Sequence, residues 1–263
     1  MLCYEALMDI ILNLMPLPLL GICLGIALLA GIVKGVVGFA MPMIMISGLG
    51  SVISPELALG GLILPTLVTN SMQALRQGPK AAWGSVKRSR IFLLVGVVFL
   101  LFSAQLVTVM PVWVMLSVIG GPVALFAAAQ LLGWKGDLPG GPSRNLEIGI
   151  GAFAGFIGGM SGVWGPPVVA YLTALGTEKR EQMRIQGVIY GLGALALTGA
   201  HLMSGVLNAQ SAAFSLMLVV PAVLGMWIGG SVQDRIDQRM FRKATLLVLL
   251  IAALNLLRRA FFG

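Results

Sequence analysis

Two stretches decide how this chain is read: Gly31-Ile-Val-Lys-Gly-Val-Val-Gly-Phe-Ala-Met-Pro42 and Gly155-Phe-Ile-Gly-Gly-Met-Ser-Gly-Val-Trp-Gly-Pro166. Gly31, Gly35, Gly38 and Pro42 recur as Gly155, Gly159, Gly162 and Pro166, at a constant offset of 124 residues without a gap. Glycine lets the backbone leave helical geometry and proline supplies no internal N–H, so each stretch reads as a break in a helix. A plainer origin exists, since the chain holds 35 glycines and Gly-x-x-x-Gly is ordinary helix packing. The similar order of apolar segments after each stretch argues for an internal duplication.

The surroundings of these stretches are membrane-like. Of 263 residues, 58% are hydrophobic and 10% charged, and the mean hydropathy is +0.99. A soluble domain is about one-quarter charged, so this composition lies outside the globular range. Apolar segments fall at about 17–38, 41–53, 56–75, 91–109, 112–132, 147–163, 165–176, 185–204, 209–228 and 244–257. At roughly 20 residues per span the chain holds about eight to ten crossings and no sizeable soluble domain. The segments 41–53 and 165–176 are too short to span. Each comes directly after a Gly/Pro stretch, which predicts short broken or re-entrant helices there.

The net charge of +8 is placed as in a membrane protein rather than in a nucleic-acid binder. Arg76, Lys80, Lys87, Arg88 and Arg90 cluster in one connection, and Arg235, Arg239, Arg242 and Lys243 in another. Basic connections of this kind face the cytoplasm and anionic lipid. With 147–163 and 165–176 counted as a down-and-back pair, six passes separate the two basic connections, which returns both to one side. Each half then has five segments and the halves insert with opposite polarity, an arrangement common among secondary transporters. Arg258 and Arg259 do not obey the rule, since they land outside. The expectation is an all-α polytopic protein of two inverted repeats, 1–132 and 147–263, joined by a connecting loop over 133–146. The first apolar stretch, preceded by Glu5 and Asp9 and by no base before Lys34, is expected to be retained. The inner (plasma) membrane is the expected location.

Little in the sequence points to an enzyme. His201 is the single histidine, the nine carboxylates lie outside the apolar segments or at their edges, and Cys3 and Cys23 have no metal-ligand spacing. Paired acids, a nucleophile triad, a metal cluster and a phosphate loop are missing, so neither cofactor nor metal is expected.

The breaks themselves carry the chemistry. A helix that starts inside the membrane directs free N–H groups and a partial positive charge at whatever lies before it, and such starts bind anions. The candidate residues are Gly38, Phe39, Ala40, Met41 and Pro42 at the first break, and Ser161, Gly162, Val163, Trp164, Gly165 and Pro166 at the second. Both starts are expected to point toward mid-membrane. A pair of packing kinks without a ligand is the alternative.

Lys34 lies inside the first stretch, and a lysine at bilayer depth costs about 2.5–3.5 kcal/mol on insertion scales unless paired or hydrated. With no acid nearby in sequence, a transported anion could be its partner; otherwise it snorkels to an interface. Asn70, with Thr66, Thr69, Ser71 and Gln73 beside it, puts polar groups on the third segment, and Gln186 and Tyr190 lie four apart on one face of its counterpart.

The residues Ala30-Gly-Ile-Val-Lys-Gly-Val-Val-Gly-Phe-Ala-Met-Pro42, Ala154-Gly-Phe-Ile-Gly-Gly-Met-Ser-Gly-Val-Trp-Gly-Pro-Pro167 and Pro221-Ala-Val-Leu-Gly225-Met-Trp-Ile-Gly229-Gly resemble the TauE/SafE family of membrane transporters. That family is associated with export of sulfite and of organosulfonates such as sulfoacetate, and the resemblance covers essentially the whole chain. It implies a secondary transporter of a small sulfur-containing anion. A passive anion channel with the same broken helices is the alternative, and an assembly subunit without transport a third. A coupling ion (proton or sodium) and a homodimer remain open.

Overall fold

The computed structural model describes residues 15–104, 111–134, 143–161, 165–203 and 205–262. Every regular element among them is an α-helix: α1 Leu17–Val37, α2 Met41–Leu49, α3 Pro55–Leu75, α4 Pro79–Arg88, α5 Arg90–Ala104, α6 Val112–Leu131, α7 Arg144–Ser161, α8 Gly165–Ala174, α9 Lys179–Met203, α10 Ala209–Arg235 and α11 Gln238–Phe262. Apolar segments become helices because lipid offers the backbone no hydrogen-bond partner, and a helix satisfies its own N–H and C=O groups. The ends are capped from the sequence. Ser54 Oγ accepts from Leu57 N at 3.3 Å ahead of Pro55 and Glu56, and Asp237 Oδ1 accepts from Met240 N at 2.7 Å at the head of α11.

Three connections expected from hydropathy are helical instead. The basic stretch 76–90 contains α4, α9 begins at Lys179 rather than near 185, and the stretch 231–243 shrinks to Ile236 and Asp237 between α10 and α11. Charge ends an apolar run but not a helix. Lys, Arg, Glu and Gln are strong helix formers, so the backbone winds on past the apolar limit. The expected connecting loop 133–146 lies largely outside the described residues, and Ser143 Oγ, accepting from Leu146 N at 3.2 Å, already caps α7.

Among the described residues, five helices are long and apolar enough to cross a membrane: Leu17–Val37, Glu56–Leu75, Lys179–Met203, Ala209–Arg235 and Gln238–Phe262. Arg90–Ser103 and Gly120–Leu131 are shorter apolar pieces. Large apolar side chains, among them Leu94, Val98, Phe102, Leu125, Val220, Trp227 and Ile251, stand exposed on the helices. Water would not tolerate so much exposed apolar surface, whereas lipid does. The chain is a polytopic membrane protein.

The helices form two compact units, one of Met1–Arg76 with Gly187–Arg235, the other of Gln77–Gln186 with Ile236–Gly263. Each unit therefore draws on both halves of the sequence. In the first, α1 lies directly on α10. A Cβ at Gly31 would stand 2.2 Å from Ala222 O, one at Gly35 2.4 Å from Met226 O, and one at Gly229 2.1 Å from Ile32 O. Backbones meet at this distance only through glycine. Cys23, Ala27, Met41, Met45, Phe214 and Leu218 pack beside the crossing as a buried apolar core. In the second unit α5 and α7 cross in the same manner, a Cβ at Gly155 falling 2.2 Å from Gly96 O.

The 124-residue offset reappears in the elements. It separates the ends of α1 and α7 (Val37, Ser161), the starts of α2 and α8 (Met41, Gly165) and the starts of α3 and α9 (Pro55, Lys179). It also separates the crossing glycines Gly31 and Gly155.

A proline sits inside α3, where it removes the N–H that Gly61 O would accept. Ser215 of α10 repairs the gap: its Oγ donates to Gly61 O at 2.9 Å and accepts from Leu64 N at 3.0 Å. Pro65 thus interrupts the hydrogen-bond ladder of α3 directly before its polar face begins at Thr66.

Candidate functional site: a buried lysine at a helix break

Helix α1 ends where glycine allows it to. Gly38 takes a left-handed backbone (φ 86°) and returns its N–H to Lys34 O at 2.7 Å. Two residues later Ala40 is also left-handed (φ 73°), a conformation that costs an L-residue about 1–2 kcal/mol. Ala40 is nonetheless buried and its carbonyl accepts from Ile44 N at 3.0 Å, so the turn is held by the first turn of α2. That helix starts at Met41 with Pro42 in its first turn and no side-chain cap. Its positive end, with the N–H groups of Met41 and Met43, is left to the surroundings.

Lys34 occupies the last turn of α1 and is 1% exposed. It does not snorkel to the protein surface. Its Nζ donates to Asn70 Oδ1 on α3, and Asn70 Nδ2 donates in turn to Tyr190 O at 3.2 Å. One turn further along α3, Gln73 Nε2 donates to Gly38 O at 3.1 Å, the carbonyl at the break itself. Thr69 Oγ1 donates to Pro65 O at 2.6 Å and lies 3.4 Å from Met41 Sδ. Thr69, Asn70 and Gln73 are all buried, so a polar face of α3 is pressed against the end of α1 and the start of α2. Helical spacing produces this face, because positions 66, 70 and 73 fit the i, i+4, i+7 pattern.

The electrostatics are uneven. Arg76 pairs with Asp234 and Arg88 with Glu181, and neither ion pair involves Lys34. An ammonium has three donors, and an amide oxygen takes one. A buried cation without a carboxylate partner is costly, and an anion delivered to it would offset part of that cost.

Of the residues singled out from the sequence, the first unit brings together Lys34, Gly38, Asn70 and the backbone of Tyr190, with Phe39, Ala40, Met41 and Pro42 forming the turn beside them. Thr66 lies one turn before Asn70 and its buried Oγ1 has no hydrogen-bond partner among the described residues, whereas Ser71 Oγ folds back onto Leu67 O at 2.8 Å. Gln186 is fully buried on α9 and belongs to the second unit, the division falling between it and Gly187. Ser161 closes α7, Gly165 opens α8 and Pro166 is buried in its first turn. Gly162, Val163 and Trp164 lie outside the described residues. Sequence reasoning missed Ser215 altogether. Pro65 signals a freed carbonyl, but nothing local says that a residue about 150 positions away will take it.

The profile of the sulfite exporter TauE/SafE family matches residues 23–256. No match is found among curated proteins or among solved structures. The matched stretch holds both Gly/Pro motifs, the buried lysine and its asparagine. A membrane protein matched over nearly its whole length in this way belongs to the sulfite exporter TauE/SafE family.

Proposed function

We propose that the protein exports a small sulfur-containing anion, sulfite or an organosulfonate, across the inner membrane by alternating access, and that the anion binds at Lys34 and the start of α2. In this reading the two sequence halves insert with opposite polarity and the basic connections around 76–90 and 231–243 face the cytoplasm. The observation that carries it is the burial of Lys34 at 1% exposure against an amide rather than a carboxylate.

The arrangement supplies the chemistry. Lys34 brings a full positive charge, and the uncapped start of α2 adds backbone N–H groups with no charge of their own to desolvate. Asn70 fixes where the ammonium points, and Gln73 holds the Gly38 carbonyl of the turn. Sulfite and sulfonates present three oxygens on one sulfur, which suits several donors converging from one side. Binding through one lysine and neutral dipoles leaves the complex easy to release, which a transporter requires.

Purified protein in liposomes tests the reading. Sulfite flux should saturate with concentration, and an outward sulfite gradient should drive labelled sulfite inward by counterflow. Flux that grows linearly without counterflow would contradict alternating access.

A further inference from the structure

We infer that Arg76 is a second anion-handling residue, one that Asp234 occupies when no anion is present. The inference rests on the reading that the anion binds at Lys34. Three successive turns of α3 carry polar partners: Asn70 meets Lys34, Gln73 meets Gly38 O, and Arg76 comes directly after the helix. From Asn70 to Arg76 the helix rises by about 9 Å. Arg76 Nη2 meets Asp234 Oδ2 at 2.6 Å and its Nη1 meets Gln233 Oε1 at 3.1 Å. The guanidinium also packs over Gly230, where a Cβ would come within 3.8 Å of it. Gly230 touches Gly35 as well, the neighbour of Lys34 in sequence, with a Gly35 Cβ 2.7 Å from Gly230 N. The two cations therefore belong to one knot of α1, α3 and α10.

Their environments differ in a useful way. Lys34 is buried without a carboxylate, while the side chains of Arg76 and Asp234 are 42% and 52% exposed. An arginine at the wet end of the polar face can meet an anion before it is desolvated, and its planar fork suits three-oxygen anions. Because an exposed ion pair is weak, an arriving anion can displace the Asp234 carboxylate and pass on toward Lys34.

Two single substitutions decide between this role and a simple latch. With sulfite as the probe in proteoliposomes, Arg76→Gln should raise KM by about two- to fivefold, and Asp234→Asn should lower KM by a similar factor, the scale expected for exposed charges. A structural latch predicts the same sign for both, since either change breaks the same ion pair. Shifts of one sign, or no shift in Asp234→Asn, overturn the inference. Calorimetry with sulfite on Lys34→Met, run alongside, separates the two levels: an unchanged Kd there removes the Lys34 site, whereas a weakened Kd with parallel KM shifts removes only the role of Arg76.

Discussion

Lys34 Nζ donates to Asn70 Oδ1 across 36 residues of sequence, joining the last turn of α1 to the polar face of α3 beside the start of α2. In this site a buried lysine, the seat of a positive charge when protonated, meets a neutral acceptor. If the charge is held for an anion, a fixed carboxylate in the same place should act as a permanent competitor. Asn70→Asp changes the shape little and supplies that competitor. Sulfite binding measured by calorimetry should fall by at least about tenfold, the scale of a charge-assisted hydrogen bond. Binding unaffected by the new carboxylate would separate Asn70 from the anion site.

The glycine crossing of α1 and α10 makes a sharp contrast available within one helix. At Gly35 a Cβ would meet Met226 O at 2.4 Å and Gly230 N at 2.7 Å, both backbone atoms that cannot swing aside. At Gly21 and Gly25 nothing lies within 4 Å. Gly35→Ala should therefore lower the melting temperature in detergent steeply or prevent folding. Gly25→Ala should be neutral or stabilise by up to about 1 kcal/mol, the helix-propensity gain of alanine. Equal effects at the two sites would contradict the crossing.

The repair of Pro65 by Ser215 predicts a recoverable loss. Ser215→Ala leaves Gly61 O and Leu64 N without their partner in a buried setting and should cost about 1–3 kcal/mol. Adding Pro65→Ala restores the N–H that Gly61 O lacks, so the double variant should regain part of the stability. A purely additive pair in thermal denaturation would show that the serine does not serve the proline.

Much of this fold is legible in the sequence for a physical reason: apolar runs must become helices in lipid, and glycine with proline must end them. The starts of α2 at Met41 and of α8 at Gly165 come from those residues. Helix α4 is not legible, because hydropathy registers Lys80, Lys87 and Arg88 as a gap although the backbone continues to wind. At the site, Lys34 stands out as a base without an acid, but its burial is a tertiary fact. Asn70 is one of five polar residues between positions 66 and 73 of its helix, and only the packing of α1 selects it. Ser215 and the partners of Arg76 come from more than 150 residues away, beyond any local pattern.

The proposed polarity of the halves is tested by labelling. Lys80 and Arg239 are both exposed and lie in the two basic connections. In a Cys3→Ser background, with Cys23 buried, Lys80→Cys and Arg239→Cys should both react with an impermeant maleimide from the cytoplasmic side only. Labelling from opposite sides would contradict the inverted arrangement.

The most direct measurement of the central claim is sulfite binding by calorimetry to the unaltered protein and to Lys34→Met. Methionine keeps much of the apolar stem and removes the charge, and a buried neutral side chain is easier to accommodate than a lysine, so folding should be preserved. Loss of a partly desolvated, charge-assisted contact of about 1.5–3 kcal/mol predicts a Kd weaker by roughly ten- to a hundredfold. An unchanged Kd in a folded Lys34→Met protein would contradict the claim that this buried lysine binds the anion.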